Sequence, residues 1–99
     1  MKPGRIPCVI PFCRRTADAT KYGEDTVIIC GKHWRMASAT LRRRRSKLER
    51  RYRRRFGDQN AWDMPAGTER EEAIRLQTLI HDLWERCKSQ AIEAAAGIG

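Results

Sequence analysis

The sequence predicts a small α+β protein that is mostly helical: a short N-terminal hairpin module, a long basic helix, and a second long helix antiparallel to it. Three observations lead there. Prolines, turn residues and a β-branched run crowd the first part of the chain ("MKPGRIPCVIPF", "KYGED", "TVII"), which suits turns and short strands. From Trp34 to Phe56 there is neither glycine nor proline. Beyond Thr68, apolar residues recur in steps of three and four.

Ninety-nine residues allow one small domain, or one module with an appendage, and only a modest core. A bound metal or a partner chain would therefore help such a fold considerably. Charge is unevenly placed. Residues 1–30 carry five basic and three acidic side chains, residues 31–57 carry twelve and one, and residues 58–99 carry four and eight. The middle segment alone exceeds the net charge of +9. Basic charge focused on one element points to a polyanion, and DNA is favoured over RNA. No segment is long and apolar enough to span a membrane, and the N-terminus lacks the apolar run of a signal peptide. An intracellular setting is expected, either cytoplasm or nucleoid. There thiols stay reduced, and cysteines read better as metal ligands than as disulfides.

Cys8, Cys13, Cys30 and His33 follow the pattern C-x4-C-x16-C-x2-H. Two tight pairs with room between them for a β-hairpin suit a tetrahedral structural Zn2+ site. Pro11 helps turn the chain so that Cys8 and Cys13 face one ion. "TVII", residues 26–29, is expected as a strand leading into Cys30. Cys30 and His33, three apart at the start of a helix, share one face of its first turn. Of the remaining candidates, Cys87 falls on an apolar stripe and is expected in the core, and His81 is expected at the surface.

These residues resemble the treble-clef zinc fingers, and their spacing is similar to that of GATA-type fingers. The resemblance covers residues 8 to about 40 and implies a treble-clef-like zinc module, knuckle plus short β-hairpin, leading into the basic helix. It departs from the GATA pattern in the four residues between the first cysteines and in the histidine as last ligand. Small fingers followed by Arg-rich helices resemble those of phage and mobile elements, which would place the chain in a host cytoplasm. Treble clefs also house His-metal nucleases, but residues 14–29 contain no histidine for catalysis. Four protein ligands leave no open position for water, and no other catalytic constellation is present, so a non-enzyme is expected.

The run "TLRRRRSKLERRYRRRF" holds nine arginines, one lysine and one acid, yet also Leu41, Leu48, Tyr52 and Phe56 at helical spacing. With Trp34 and Ala37 these trace one face of a helix of about 25 residues, with Arg44 or Arg45 filling a gap and Gly57 as C-cap. Residues 57–67 form a reversing loop, where Trp62 and Met64 are expected to cover the end of the hairpin. Thr68 and Glu71 have capping-box spacing. Ala73, Leu76, Ile80, Leu83, Cys87 and Gln90 or Ala91 then form a stripe, widened by Ile74, Leu79 and Trp84, that runs to about residue 96. The division expected is a zinc-binding module over 1–40 and a helical hairpin over 41–99. The acidic second helix covers the apolar stripe of the first and offsets part of its charge.

The arginines then line the solvent side. Arg35, Arg42, Arg43, Arg44, Arg45, Lys47, Arg50, Arg51, Arg53, Arg54 and Arg55 are the candidate nucleic-acid contacts, because arginine suits bidentate phosphate and guanine recognition. The expected function is a zinc-stabilised nucleic-acid-binding protein, a DNA-binding regulator. The alternative is a protein-interaction module or inhibitor of phage type that binds a host nucleic-acid-processing enzyme. The wide apolar face of the second helix leaves room for a homodimer through the hairpin or for a protein partner, and no membrane is expected as partner.

Overall fold

The computed structural model describes residues 4–23 and 25–97. The chain divides into two compact units, one taking in the chain up to Ala37 together with the stretch from Lys88 on, the other Ser38–Cys87.

In the first unit, β1 (Arg5–Pro7) pairs antiparallel with β2 (Thr16–Asp18), Ile6 opposite Ala17. The pairing continues one step further, where the Cys8 N–H donates to the Arg15 carbonyl at 2.9 Å. Arg5 fastens the outer edge, its guanidinium donating to the Thr16 hydroxyl at 3.1 Å and to the Thr16 carbonyl at 3.2 Å. Ile6 turns inward and is buried. Asp18 then caps α1 (Ala19–Tyr22), accepting from the Thr20 hydroxyl at 2.7 Å and the Thr20 N–H at 2.9 Å, which together hold the Asp18 carboxyl below its ordinary range. The hairpin thus brackets the Cys8–Cys13 loop and does not lie between the two ligand pairs. "TVII" forms no strand. Ile28 makes a single bridge to Cys8, with the Val9 N–H donating to the Ile28 carbonyl at 2.8 Å. Its β-branched composition is a weak preference that tertiary context overrides here.

The expected single helix from Trp34 is two helices, α2 (Gly31–Trp34) and α3 (Ala39–Phe56). Ser38 divides them: its hydroxyl accepts from the Leu41 N–H at 3.4 Å, making it an N-cap where propensity alone would run the helix through.

In the second unit α3 and α4 (Thr68–Ala95) pack as an antiparallel helical hairpin, α4 entering it up to Cys87. Gly57 ends α3 at φ +66, a left-handed conformation that favours glycine, with its N–H donating to the Arg53 carbonyl at 2.8 Å. Thr68 is the first residue inside α4, and the Gly67 carbonyl accepts from the Glu71 N–H, so the helix starts one residue earlier than the capping-box spacing places it. Tyr52, Phe56, Ala61, Ala73 and Leu76 form the core of this unit, with Leu48, Met64, Ile74 and Ile80 against it. The Tyr52 and Phe56 rings lie 5.2 Å apart and tilted. The Tyr52 hydroxyl donates to the Gln59 carbonyl and accepts from Gln77 at 3.1 Å, tying α3, the loop and α4 together. Burying a ring such as Phe56 contributes about 2 kcal/mol. Exposed pairs such as Arg55 with Glu69 (3.8 Å) and Glu72 (3.7 Å) contribute at most about 1 kcal/mol each.

Of the loop residues expected over the end of the hairpin, only Met64 packs there. Trp62 is 62% exposed, with the Arg70 guanidinium 5.7 Å from its ring. Arg45, not Arg44, fills the gap in the α3 stripe: it is half-buried and ion-paired with Glu49. In the α4 stripe the position shared between Gln90 and Ala91 falls to Ala91, which is fully buried.

Candidate metal centre and basic helix face

The ligand atoms of Cys8, Cys13, Cys30 and His33 all lie within 4.8 Å of one another. Each is placed by local structure. Cys8 follows β1. Cys13 closes a turn in which its N–H donates to the Ile10 carbonyl at 3.1 Å. Cys30 is the N-cap of α2, and His33 lies on that helix. Cys13 Sγ is 3.9 Å from Cys30 Sγ, Cys8 Sγ is 3.9 Å from His33 Nδ1, and Cys30 Sγ is 3.1 Å from the same nitrogen.

Those separations exclude a disulfide, whose sulfurs sit about 2 Å apart. They come close to the edges of a tetrahedron around one ion, about 3.7 Å between sulfurs at ordinary zinc–thiolate bond lengths. Three thiols and an imidazole are also a donor set that borderline-soft metals prefer. The four residues fit one metal ion and could hold it.

Electrostatics within the cluster favour the ligating form of Cys30. Burial pushes its thiol up, but hydrogen bonds from the His33 backbone and ring, with Cys13 and Cys8, outweigh that and bring it down to about 6. Cys8 behaves oppositely. Burial raises its thiol, although the Cys30 and Ile10 N–H groups aim at its sulfur, the former at 3.3 Å. A metal ion would displace the remaining protons, since thiolate is the form that ligates.

Around the ligands lies a small apolar cluster of Cys8, Ile10 and Ala91, with Val9, Ile29 and Ile92 partly buried against it. Ala91 and Ile92 come from the end of α4, a contribution to the metal module that the sequence reading did not foresee. Ala91 sits on the α4 stripe, but a stripe does not name its partner, and Ile92 lies beside it. The leftover candidates fall where expected. Cys87 is fully buried in the other unit, its thiol pushed up by burial against the pull of Arg45, Arg42 and Arg86. His81 is exposed, 3.6 Å from Glu85.

The basic residues separate into two sets. Arg43, Arg44, Lys47, Arg50, Arg51, Arg53, Arg54 and Arg55 are exposed along α3, whereas Arg42 and Arg45 are half-buried toward the core side. Arg35 lies just past α2, its Nε donating to the Gly31 carbonyl at 3.0 Å. The single acid of α3, Glu49, is engaged by Arg45. Among the described residues no helix is long and apolar enough to cross a membrane. No protein-family model, curated protein or solved structure matches the chain.

Proposed function

We propose that this chain is a zinc-stabilised nucleic-acid-binding protein, a DNA-binding regulator rather than an enzyme. The observation that carries the reading is the outward surface of α3, eight exposed cationic side chains on a helix whose one acid is already paired. Arg43, Lys47, Arg50 and Arg54 follow one another in steps of four, three and four, opposite Leu41, Tyr52 and Phe56. The apolar face is occupied in the hairpin, so the cationic face is the one presented outward. A solubilising helix surface normally alternates acids with bases. A nearly all-arginine surface is instead suited to phosphate oxygens and guanine edges. An α-helix about 10–12 Å across also fits the major groove of duplex DNA, about 12 Å wide.

Zinc is the favoured metal because three cysteines and one histidine make a closed tetrahedral set, the arrangement of structural sites. The order of the module, a cysteine loop followed by a helix carrying the last two ligands, supports a treble-clef-like description. The metal's part is to fix the module that precedes the basic helix.

Salt dependence tests the reading. With about six phosphates neutralised, log affinity for duplex DNA against log salt should slope near −5. Replacing Arg43, Arg50, Arg53 and Arg54 by alanine should flatten that slope by about 3 to 4 and weaken all sequences alike. A slope near zero for the wild type would reject the reading and favour a protein partner, as for an inhibitor of a nucleic-acid-processing enzyme.

A further inference from the structure

Between the first two ligands the chain makes a tight turn, Ile10-Pro11-Phe12-Cys13, closed by the Cys13 N–H on the Ile10 carbonyl. Pro11 suits its second position. The third has φ +67, where a type II turn calls for glycine or asparagine. Phe12 occupies it instead, the only non-glycine residue with positive φ among those described. A Cβ in that conformation is strained. The ring recovers nothing from the fold, because Phe12 is 102% exposed.

Two unfavourable features thus coincide on one residue, and neither is offset within the chain. Glycine there would relax the backbone and remove exposed apolar surface together. Cys8 and Cys13 anchor the turn on both sides, so the ring is presented by a fixed loop. Two cations flank it in the chain: Arg14 and Arg15 follow just after Cys13, both exposed.

We infer that Phe12 is a stacking contact for an unpaired nucleic-acid base, with Arg14 and Arg15 taking the neighbouring phosphates. An exposed aromatic beside arginines is the chemistry that binds single strands, the ring meeting the base face and the guanidinium groups the backbone. An apolar pocket in a protein would accept the ring equally well, but the flanking charge favours the polyanion. This inference rests on the nucleic-acid reading of the chain, although it concerns a different site from the surface of α3.

The test compares two ligands of equal charge, an oligothymidylate of about twelve nucleotides and its abasic counterpart, on the metal-loaded full chain. The wild type should prefer the base-bearing strand by about tenfold. Phe12→Gly should abolish the preference, keep the salt slope, and melt at or above the wild-type temperature, because glycine relieves the turn. Phe12→Asn, which also tolerates left-handed φ, should behave like Phe12→Gly, and Phe12→Trp should retain the preference. Equal wild-type affinity for both strands, or a preference surviving in Phe12→Gly and Phe12→Asn, would overturn the inference while leaving α3 as a phosphate-binding surface. A fall in melting temperature for both of these variants would show the ring to be structural and also overturn it. Failure to bind either strand, together with a flat salt dependence on duplex DNA, would instead remove the underlying nucleic-acid reading.

Discussion

The two units of this chain reach a folded state by different physical means. The unit of the cysteine cluster has strands of three residues and helices of four, joined by the last turns of α4, and a buried set dominated by Ile6, Cys8, Ile10, Ala19 and Ala91. Such short elements do not stand on their own hydrogen bonds, since helix nucleation alone is unfavourable at that length. The unit of the helical hairpin has long helices, an aromatic pair, and leucine and alanine at the interface. It is held by apolar burial. The difference teaches that a metal ion held by the four ligands would substitute for a core that the N-terminal residues are too few and too polar to build, whereas the hairpin needs no such device.

The largest break in that comparison is expected from Cys30→Ser. Structural zinc sites in finger peptides contribute about 10 kcal/mol or more to folding. Loss of one thiolate should therefore abolish metal binding and the β1–β2 pairing. The α3–α4 hairpin should keep most of its helical circular dichroism, because none of its core residues is a ligand. Elemental analysis together with far-ultraviolet spectra checks both halves, and retained metal would reject the ligand assignment.

Phe56→Ala is the converse perturbation. Removing a buried ring should cost about 3–5 kcal/mol of hairpin stability, read from urea melts, with metal stoichiometry unchanged. Loss of metal in this variant would mean that the two means of folding are not separable.

A smaller effect is expected at the helix break. Ser38→Ala removes the hydroxyl that accepts from the Leu41 N–H and should destabilise the hairpin by about 1 kcal/mol. No measurable change would place the start of α3 under the control of packing at Leu41 rather than of its cap.

Legibility in the sequence follows the same division. The hairpin was largely readable, because long helices repeat their signal. Leu41, Tyr52 and Phe56 lie on one stripe, Ala73, Leu76, Leu83 and Cys87 on another, and Gly57 marks an end. The proximity of Cys8, Cys13, Cys30 and His33 was readable from spacing alone, since ligand chemistry requires tight pairs. The N-terminal strands were not. Arg5–Pro7 and Thr16–Asp18 are too short to show alternation, and the stronger β-branched signal of "TVII" drew attention to a segment that makes one bridge. The division between α2 and α3 was hidden because Arg, Met and Ala all favour helix, and only the competing side chain of Ser38 breaks it. The docking of Ala91 and Ile92 beside the cysteines is a tertiary choice with no local signature.

Amide hydrogen exchange on chelator-stripped protein, before and after one equivalent of Zn2+, tests the central claim most directly. The account predicts that the Cys8 and Val9 amides, which donate to Arg15 and Ile28, are protected only when metal is present. Amides around Tyr52, Leu76 and Leu83 should be protected in both states. Equal protection of both regions without metal would contradict it, because the N-terminal unit would then be folding without help from its ligands.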